Sequence, residues 1–172
     1  RLWRPTTDFM LVKSGCTNDA SLAPVVTTTT TTSSSSTTTT TGTTTGGSCA
    51  GYVKIIDDNE ATFVDSWTNQ AVGYNGNFKY RGSGGGTKTA TWTFTGLTPG
   101  QYQVSATWSA FGIGANNAPY VITGDAALAP VRVNQSIPPA ANVVVNSSNF
   151  QHLASVTITG STITVQLRDD AE

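Results

Sequence analysis

Residues 87–108 decide the fold, and they read TKTATWTFTGLTPGQYQVSATW. In the first half threonines alternate with apolar residues, so one face of a strand carries Ala90, Trp92 and Phe94. The second half alternates in the same way, and its apolar face consists of Tyr102, Val104, Ala106 and Trp108. Two half-buried strands joined by a Pro-Gly turn predict antiparallel β-structure.

The same pattern continues along the chain. The stretch SVTITGSTITVQL, residues 155–167, predicts a β-hairpin, and YVKII, PYVIT and APVRVNQ predict further strands. No segment sustains a helical period. We therefore expect an all-β protein, a jelly-roll-like antiparallel β-sandwich with an extended N-terminal arm and a Thr/Ser-rich low-complexity segment. The expected boundaries are 1–26 for the arm, 27–48 for the Thr/Ser segment and 49–172 for the sandwich.

Composition narrows the class of protein. Charged residues make up 11% of the 172 residues and the net charge is -1. This balance gives no electrostatic basis for binding nucleic acid or an anionic membrane. The longest apolar runs are of strand length, so membrane insertion is not expected either. A Thr-rich chain of low charge with 2 cysteines is typical of an extracellular or cell-surface protein.

The Thr/Ser segment lies between Cys16 and Cys49. We expect these cysteines to form a disulfide within the chain, with a bond between chains as the alternative. The segment is mucin-like and predicts covalent O-linked glycans; the alternative is a bare flexible linker. The threonines expected to carry glycans are Thr27, Thr28, Thr29, Thr30, Thr31, Thr32, Thr37, Thr38, Thr39, Thr40, Thr41, Thr43, Thr44 and Thr45. Asn134 and Asn146 begin N-glycosylation sequons.

The sandwich region resembles a known family. The motifs TATWTFTGLTPGQYQVSATW, NNAPYVI and VRVNQ are similar to the golvesin/xanthan-lyase-type carbohydrate-binding-like domain, over Tyr52–Glu172. The resemblance implies a β-sandwich in secreted bacterial surface proteins of planctomycete type, usually an accessory module and not a catalyst. In that family the DDA segment leads into a last strand ending in a sequence like ADAVRL. Here that strand does not follow, and the chain instead begins RLWRP, which resembles its tail.

The arm is therefore expected to supply a missing strand. Either the sequence is one repeat of a tandem protein, or each copy lends its arm to a neighbour. The residues expected to pack on an adjacent copy are Leu2, Trp3, Phe9, Met10, Leu11 and Val12. The alternative is an arm that folds back onto its own sandwich.

Two groups of residues are candidates for ligand binding. Trp67 and Tyr74 lie among Asn and Gly, a composition that suits sugar stacking, although aromatics in a small β-domain are more often core. Two acidic clusters, DDNE and DDAE, follow the first and the last strand, so both are expected at one pole of the sandwich, where they offer oxygen ligands for Ca²⁺; turn capping is the alternative. The carboxylates concerned are Asp57, Asp58, Asp169 and Asp170. No other cofactor is expected.

The sequence contains no catalytic constellation, because its 1 histidine has no evident nucleophile partner. We therefore expect a protein that is not an enzyme. The leading hypothesis is a structural subunit or tandem repeat of an extracellular glycosylated fibre or surface layer, linked by strand exchange between copies. The alternative is a carbohydrate-binding accessory module of a secreted bacterial enzyme, which binds polysaccharide.

Overall fold

The computed structural model describes residues 3–14, 53–110 and 112–170. These residues form thirteen β-strands and two single-turn 3-10 helices, Asp58–Glu60 and Tyr74–Gly76. The strands are β1 (Trp3–Pro5), β2 (Asp8–Lys13), β3 (Val53–Ile56), β4 (Thr62–Phe63), β5 (Thr68–Gln70), β6 (Phe78–Gly82), β7 (Thr89–Phe94), β8 (Gly100–Thr107), β9 (Ala118–Thr123), β10 (Val131–Val133), β11 (Val143–Val145), β12 (Ser148–Ile158) and β13 (Ile163–Arg168).

Two five-stranded antiparallel sheets make up the body. The first has the strand order β10-β9-β13-β7-β4 and the second β11-β12-β8-β2-β3. A smaller sheet has the order β1-β6-β5. One hydrophobic core takes side chains from both large sheets, as expected for two sheets packed face to face. The prediction of an all-β antiparallel sandwich is confirmed.

The core follows the alternation of the sequence. Trp92 and Phe94 of β7 are fully buried from one sheet, and Tyr102 and Val104 of β8 from the other. The threonines between the apolar residues of β7 are more exposed than those residues. Strand β7 thus buries one face and leaves the other more exposed, as period-two patterning requires.

Residues 155–167 do not form the predicted hairpin. Strand β12 pairs with β8 and β11, whereas β13 pairs with β7 and β9 in the opposite sheet. Both strands nevertheless point their apolar side chains into the same core. The connection between them crosses from one sheet to the other, because alternation fixes which face is buried but not which strand lies alongside.

Strand β2 lies inside the second sheet, between β8 and the edge strand β3. It pairs with β8 along Asp8–Lys13 and with β3 along Phe9–Val12. Phe9 and Leu11 point into the core and are 0% exposed. Met10 and Val12 point to the other face, where they form a second cluster with Phe150, here called the outer cluster. Successive side chains of β2 therefore alternate between two faces, both of them buried.

The partner of the arm is different from the one predicted. The sequence assigned Phe9, Met10, Leu11 and Val12 to the sandwich of an adjacent copy, but they complete the sandwich of their own chain. The described part of the arm thus belongs to the sandwich. Leu2 lies outside the described residues, as does the side chain of Trp3.

A buried polar network fixes the entrance of the arm. The Gln135 side-chain amide donates to the Pro5 carbonyl at 2.8 Å and to the Tyr120 hydroxyl at 2.7 Å. The Tyr120 hydroxyl lies 3.1 Å from that of Thr7. On the neighbouring residue, the Thr6 hydroxyl accepts from the Lys79 backbone N–H at 2.7 Å. Because buried polar groups are costly unless paired, these contacts specify one position for the arm.

The Thr/Ser segment is an insertion between neighbouring strands. Val12 and Val53 are paired across β2 and β3, and the intervening chain leaves and re-enters the fold beside this pair. Cys16 follows Val12 by four residues, and Cys49 precedes Val53 by four. The cysteines and the Thr/Ser segment lie outside the described residues, so the disulfide and the O-linked glycans stay predictions.

The turn between β11 and β12 contains a strained serine. Asn146 and Ser147 have φ of 48° and 63°, the signs of a two-residue type I′ turn closed by the pair Val145 and Ser148. Asparagine tolerates this conformation, but serine is strained there and glycine is not.

We expect Ser147→Gly to stabilise the protein by about 0.5–1 kcal/mol, because relief of strain outweighs the added freedom of the unfolded chain. Thermal unfolding should show a melting temperature about 1–4 °C higher. Ser161→Gly is the control: Ser161 is exposed and lies outside the left-handed region, so the substitution should be neutral or slightly destabilising. A lower melting temperature for Ser147→Gly would contradict the strain argument.

Candidate functional site

A groove of about 240 Å³ lies beside the outer cluster, and we call it the Tyr74 groove. Two aromatic residues line it, Tyr74 and Trp108. The remaining lining is small or polar and comprises Gly73, Thr107, Ser109, Pro139, Ser147, Ser148 and Asn149. None of these side chains is charged, so the groove offers a ring face and neutral hydrogen-bonding groups.

The local chain geometry holds Tyr74 in place. Gly73, with φ of 118°, starts the turn at Tyr74–Gly76, and a Cβ at Gly73 would lie 2.8 Å from the Asn77 carbonyl oxygen. The Tyr74 ring packs edge-on against Phe150, with ring centroids 5.6 Å apart. Tyr74 is half-buried, with one part of the ring fixed by the outer cluster and another lining the groove.

The second aromatic residue of the groove, Trp108, is also held in place by its contacts. The Trp108 indole N–H donates to the Ile137 carbonyl at 2.9 Å, which fixes a ring that is 6% exposed. The strained turn at Asn146 and Ser147 carries the serine into the lining, and Asn75 beside Tyr74 also has a positive φ of 51°. Residues held in sparsely populated backbone conformations concentrate at binding sites, so these positive φ angles favour the groove as a candidate binding site.

Trp67, the other predicted stacking residue, does not line the Tyr74 groove. Its ring packs against Phe63 with centroids 5.6 Å apart, and its indole N–H donates to the Val64 carbonyl at 3.3 Å. It also packs on the edge of the main core. Of the two predicted stacking residues, Tyr74 therefore lines the groove, whereas Trp67 packs against Phe63 and the main core.

A second cleft, of about 470 Å³, lies at the glycine-rich loop of residues 83–86, between β6 and β7, and we call it the glycine-rich cleft. Its lining is charged and includes Arg81, Lys88 and Asp169. The charges are mostly satisfied by one another. Asp65 pairs with Lys88 at 2.8 Å and with Arg81 at 3.0 Å. The hydrogen bond from Lys88 lowers the pKa of Asp65 to about 2.

Asp169 and Asp170 follow β13, and Asp169 holds the loop around this cleft through hydrogen bonds. Asp169 is 2% exposed, and its Oδ1 accepts from the backbone N–H of Gly86 at 2.7 Å and of Lys88 at 3.3 Å. Asp170 pairs with Arg168 at 2.6 Å. Asp169 thus has the capping role that was the alternative to calcium ligation.

A different set of carboxylates comes together at the start of β2. Ligand oxygens of Asp8, Asp57 and Asp58 all lie within 4.8 Å of one another, and we call these residues the acidic cluster. Burial raises the pKa of the Asp8 carboxyl to about 8 and also raises the pKa of Asp58. The predicted grouping of Asp57 and Asp58 with Asp169 and Asp170 is replaced by a grouping with Asp8.

Sequence reasoning missed Asp8 because it lies far along the chain from Asp57 and Asp58, and only the pairing of β2 with β3 brings them together. A polar Thr-Thr-Asp run directly before an apolar strand was the available signal. Asn134 and Asn146 are both exposed, but their glycosylation stays a prediction.

The comparisons with known proteins give the family. The Golvesin C-terminal domain matches residues 53–171, and the chain belongs to this family. No curated protein and no solved structure shows a significant match to the chain. In the described ranges, no helix has the length and apolar character needed to cross a membrane. The match begins at β3, so strand β2 lies outside the matched region.

Proposed function

We propose that this protein is an extracellular, non-catalytic module that binds a neutral polysaccharide through the Tyr74 groove. The observation that carries the proposal is a half-buried aromatic ring beside hydroxyl and amide side chains in a groove without charged lining. Sugar rings have apolar faces and polar edges, and aromatic rings combined with a few oriented polar groups match both.

The uncharged lining of the Tyr74 groove indicates which class of polysaccharide it binds. A polysaccharide with uronate or pyruvate groups needs cationic partners, and no Lys or Arg is among the described residues that line the groove. The basic residues of the glycine-rich cleft are already paired with Asp65 and Asp169. A neutral glucan or mannan therefore fits the groove better than an acidic polymer.

A structural role, as a subunit or repeat of a glycosylated surface layer or fibre, is the second candidate. It is favoured by the low-complexity Thr/Ser composition of residues 27–48, a stretch that the sequence inserts between the paired strands β2 and β3. In this role contacts between copies would use surfaces other than the arm, because the arm fills its own sheet. Light scattering over a concentration series and electron microscopy of the native material test it.

Affinity gel electrophoresis with a panel of neutral and acidic polysaccharides tests the groove. We expect retardation by a neutral polymer, and we expect Tyr74→Ala to weaken it at least tenfold, about 1.4 kcal/mol. Tyr74→Phe is the matched control: it keeps the ring and its contact with Phe150, so it should retain most of the affinity. Far-UV circular dichroism checks that each variant is folded.

Two results would overturn the proposal. One is a wild-type protein that none of the neutral polymers retards. The other is a folded Tyr74→Ala variant that migrates like wild type. Retardation by acidic polymers alone would move the site to the glycine-rich cleft and would likewise contradict the assignment to Tyr74.

A further inference from the structure

The acidic cluster brings three carboxyl groups close to a single ammonium group. Asp8 and Asp58 are 4% and 1% exposed, and Asp57 is half-buried beside them. Among the described residues, the nearby positive charge comes from Lys79, whose Nζ lies 3.6 Å from Asp58 Oδ2. That ammonium also donates to the Asn59 side-chain oxygen at 2.8 Å, so one shared cation faces three carboxyl groups.

A second observation concerns Asp58 alone. Its Oδ2 accepts from the Thr6 hydroxyl at 3.0 Å, but its Oδ1 is buried and has no hydrogen-bond partner in the described part of the chain. An unpaired carboxylate oxygen is among the most expensive groups to bury. The orphaned oxygen belongs to the side chain at the centre of the cluster, where a ligand would satisfy it.

The carboxylate oxygens of Asp8 and Asp57 are held in place by hydrogen bonds but keep lone pairs for a further ligand. Asp8 Oδ1 accepts from the Asp58 backbone N–H at 2.9 Å, which fixes the arm against the start of the 3-10 helix Asp58–Glu60. Asp57 accepts from the Asn59 N–H at 2.9 Å and from the Asn75 side chain at 2.8 Å. Carboxylates oriented by such bonds, with further lone pairs free, are typical of preformed cation sites.

We propose that Asp8, Asp57 and Asp58 bind a divalent cation of the Ca²⁺ class, which joins the N-terminal arm to the rest of the sandwich. The donors are all oxygen, which favours a hard cation over zinc or copper. Ca²⁺ accommodates a ligand set that mixes carboxylates with backbone oxygens and water. Lys79 would sit at the rim of the site and weaken cation binding by repulsion.

The role of such a cation follows from the topology. Asp8 is the first residue of β2, while Asp57 and Asp58 follow the last residue of β3. The cation would therefore fix one end of the β2–β3 pair, the end opposite the Thr/Ser segment. Extracellular modules bind Ca²⁺ with dissociation constants of about 10⁻⁴–10⁻³ M, and binding of that strength would stabilise the arm outside the cell.

Calorimetric titration and thermal unfolding of the full chain, first stripped with EDTA, test the proposal with Ca²⁺, Mg²⁺ and Mn²⁺ as probes. We expect saturable Ca²⁺ binding with one ion per chain. The melting temperature should rise by about 5–10 °C when free Ca²⁺ is roughly a hundred times the dissociation constant.

Variants locate the site. Asp57→Asn is the primary one, because Asp57 is only half-buried and the variant should fold; we expect at least tenfold weaker binding. Asp58→Asn should have the same or a greater effect, and Lys79→Gln should bind more tightly. Asp170→Asn is the matched control, since this carboxylate pairs with Arg168 outside the cluster and should leave the titration unchanged.

The proposal is overturned if the wild-type chain shows neither heat of binding nor a change in melting temperature with any of the three ions. In that case Lys79 and a proton on Asp8 compensate the negative charge of the acidic cluster. It is equally overturned if Asp57→Asn and Asp58→Asn both fold and keep wild-type affinity. Neither outcome depends on the Tyr74 groove, so the polysaccharide assay stands separately.

Discussion

A chain lacking residues 1–13 is expected not to fold. This deletion removes the strand between β8 and β3, so that β3 loses its neighbour in the sheet and the core loses Phe9 and Leu11. Burial of one such side chain contributes about 1.5–3 kcal/mol. With Met10 and Val12, four buried side chains contribute roughly 6–12 kcal/mol, which is comparable to the whole stability of a typical domain.

Circular dichroism and limited proteolysis measure this outcome. The matched control replaces residues 17–48 with a short Gly/Ser loop. It removes more of the chain but none of the described strands, and Val12 and Val53 are already adjacent, so it should fold. A truncated protein that still unfolds cooperatively at the wild-type temperature would show that β2 is dispensable.

The same experiment decides between an arm kept within the chain and an arm exchanged between copies. If each chain keeps its arm, the full-length protein should be monomeric by light scattering, since its sheet is already complete. Adding a synthetic peptide of residues 1–14 to the truncated chain should restore folding. An exchanged dimer or polymer in the full-length protein would instead support the strand-exchange hypothesis.

Phe9→Ala is expected to cost about 3–5 kcal/mol of the free energy of unfolding. Phe9 is 0% exposed and its ring meets two others edge-on, with centroids 4.8 Å from Trp92 and 5.5 Å from Tyr120. The substitution leaves a cavity where the two sheets meet, and it also removes aromatic contacts worth about 0.5–1.5 kcal/mol each beyond their burial.

Chemical denaturation with urea measures the loss, and the melting temperature should fall by roughly 6–20 °C. Val144→Ala is the control, because Val144 is 58% exposed and its truncation should change stability by less than about 0.5 kcal/mol. A loss below about 1 kcal/mol for Phe9→Ala would mean that the arm does not occupy the core in solution.

The candidate sites were only partly accessible from sequence. Tyr74 and Trp67 occur in the same Asn- and Gly-rich composition, yet one lines a groove and the other packs on Phe63. Asp57 and Asp58 were predicted to share a site with Asp169 and Asp170, but the fold groups them with Asp8. Composition identifies the residue types that a site needs, whereas distance in space depends on the path of the whole chain.

The sequence by itself determined which residues form strands and which of their faces is buried. In β7 and β8, alternation predicted the buried residues Trp92, Phe94, Tyr102 and Val104. In the arm it also predicted the strand containing Phe9 and Leu11. These features are local, because successive side chains on a strand point to opposite sides and each residue type prefers one of them.

Only the tertiary structure decided which strands are neighbours. Strands β12 and β13 are separated by a short connection, yet they lie in opposite sheets, while β2 pairs with β3 across the Thr/Ser segment. Any amphipathic strand can pair with any other of similar pattern, so the choice rests on packing in three dimensions. In its own sheet the arm places Phe9 and Leu11 in the core, and the polar network holds Pro5 and Thr7.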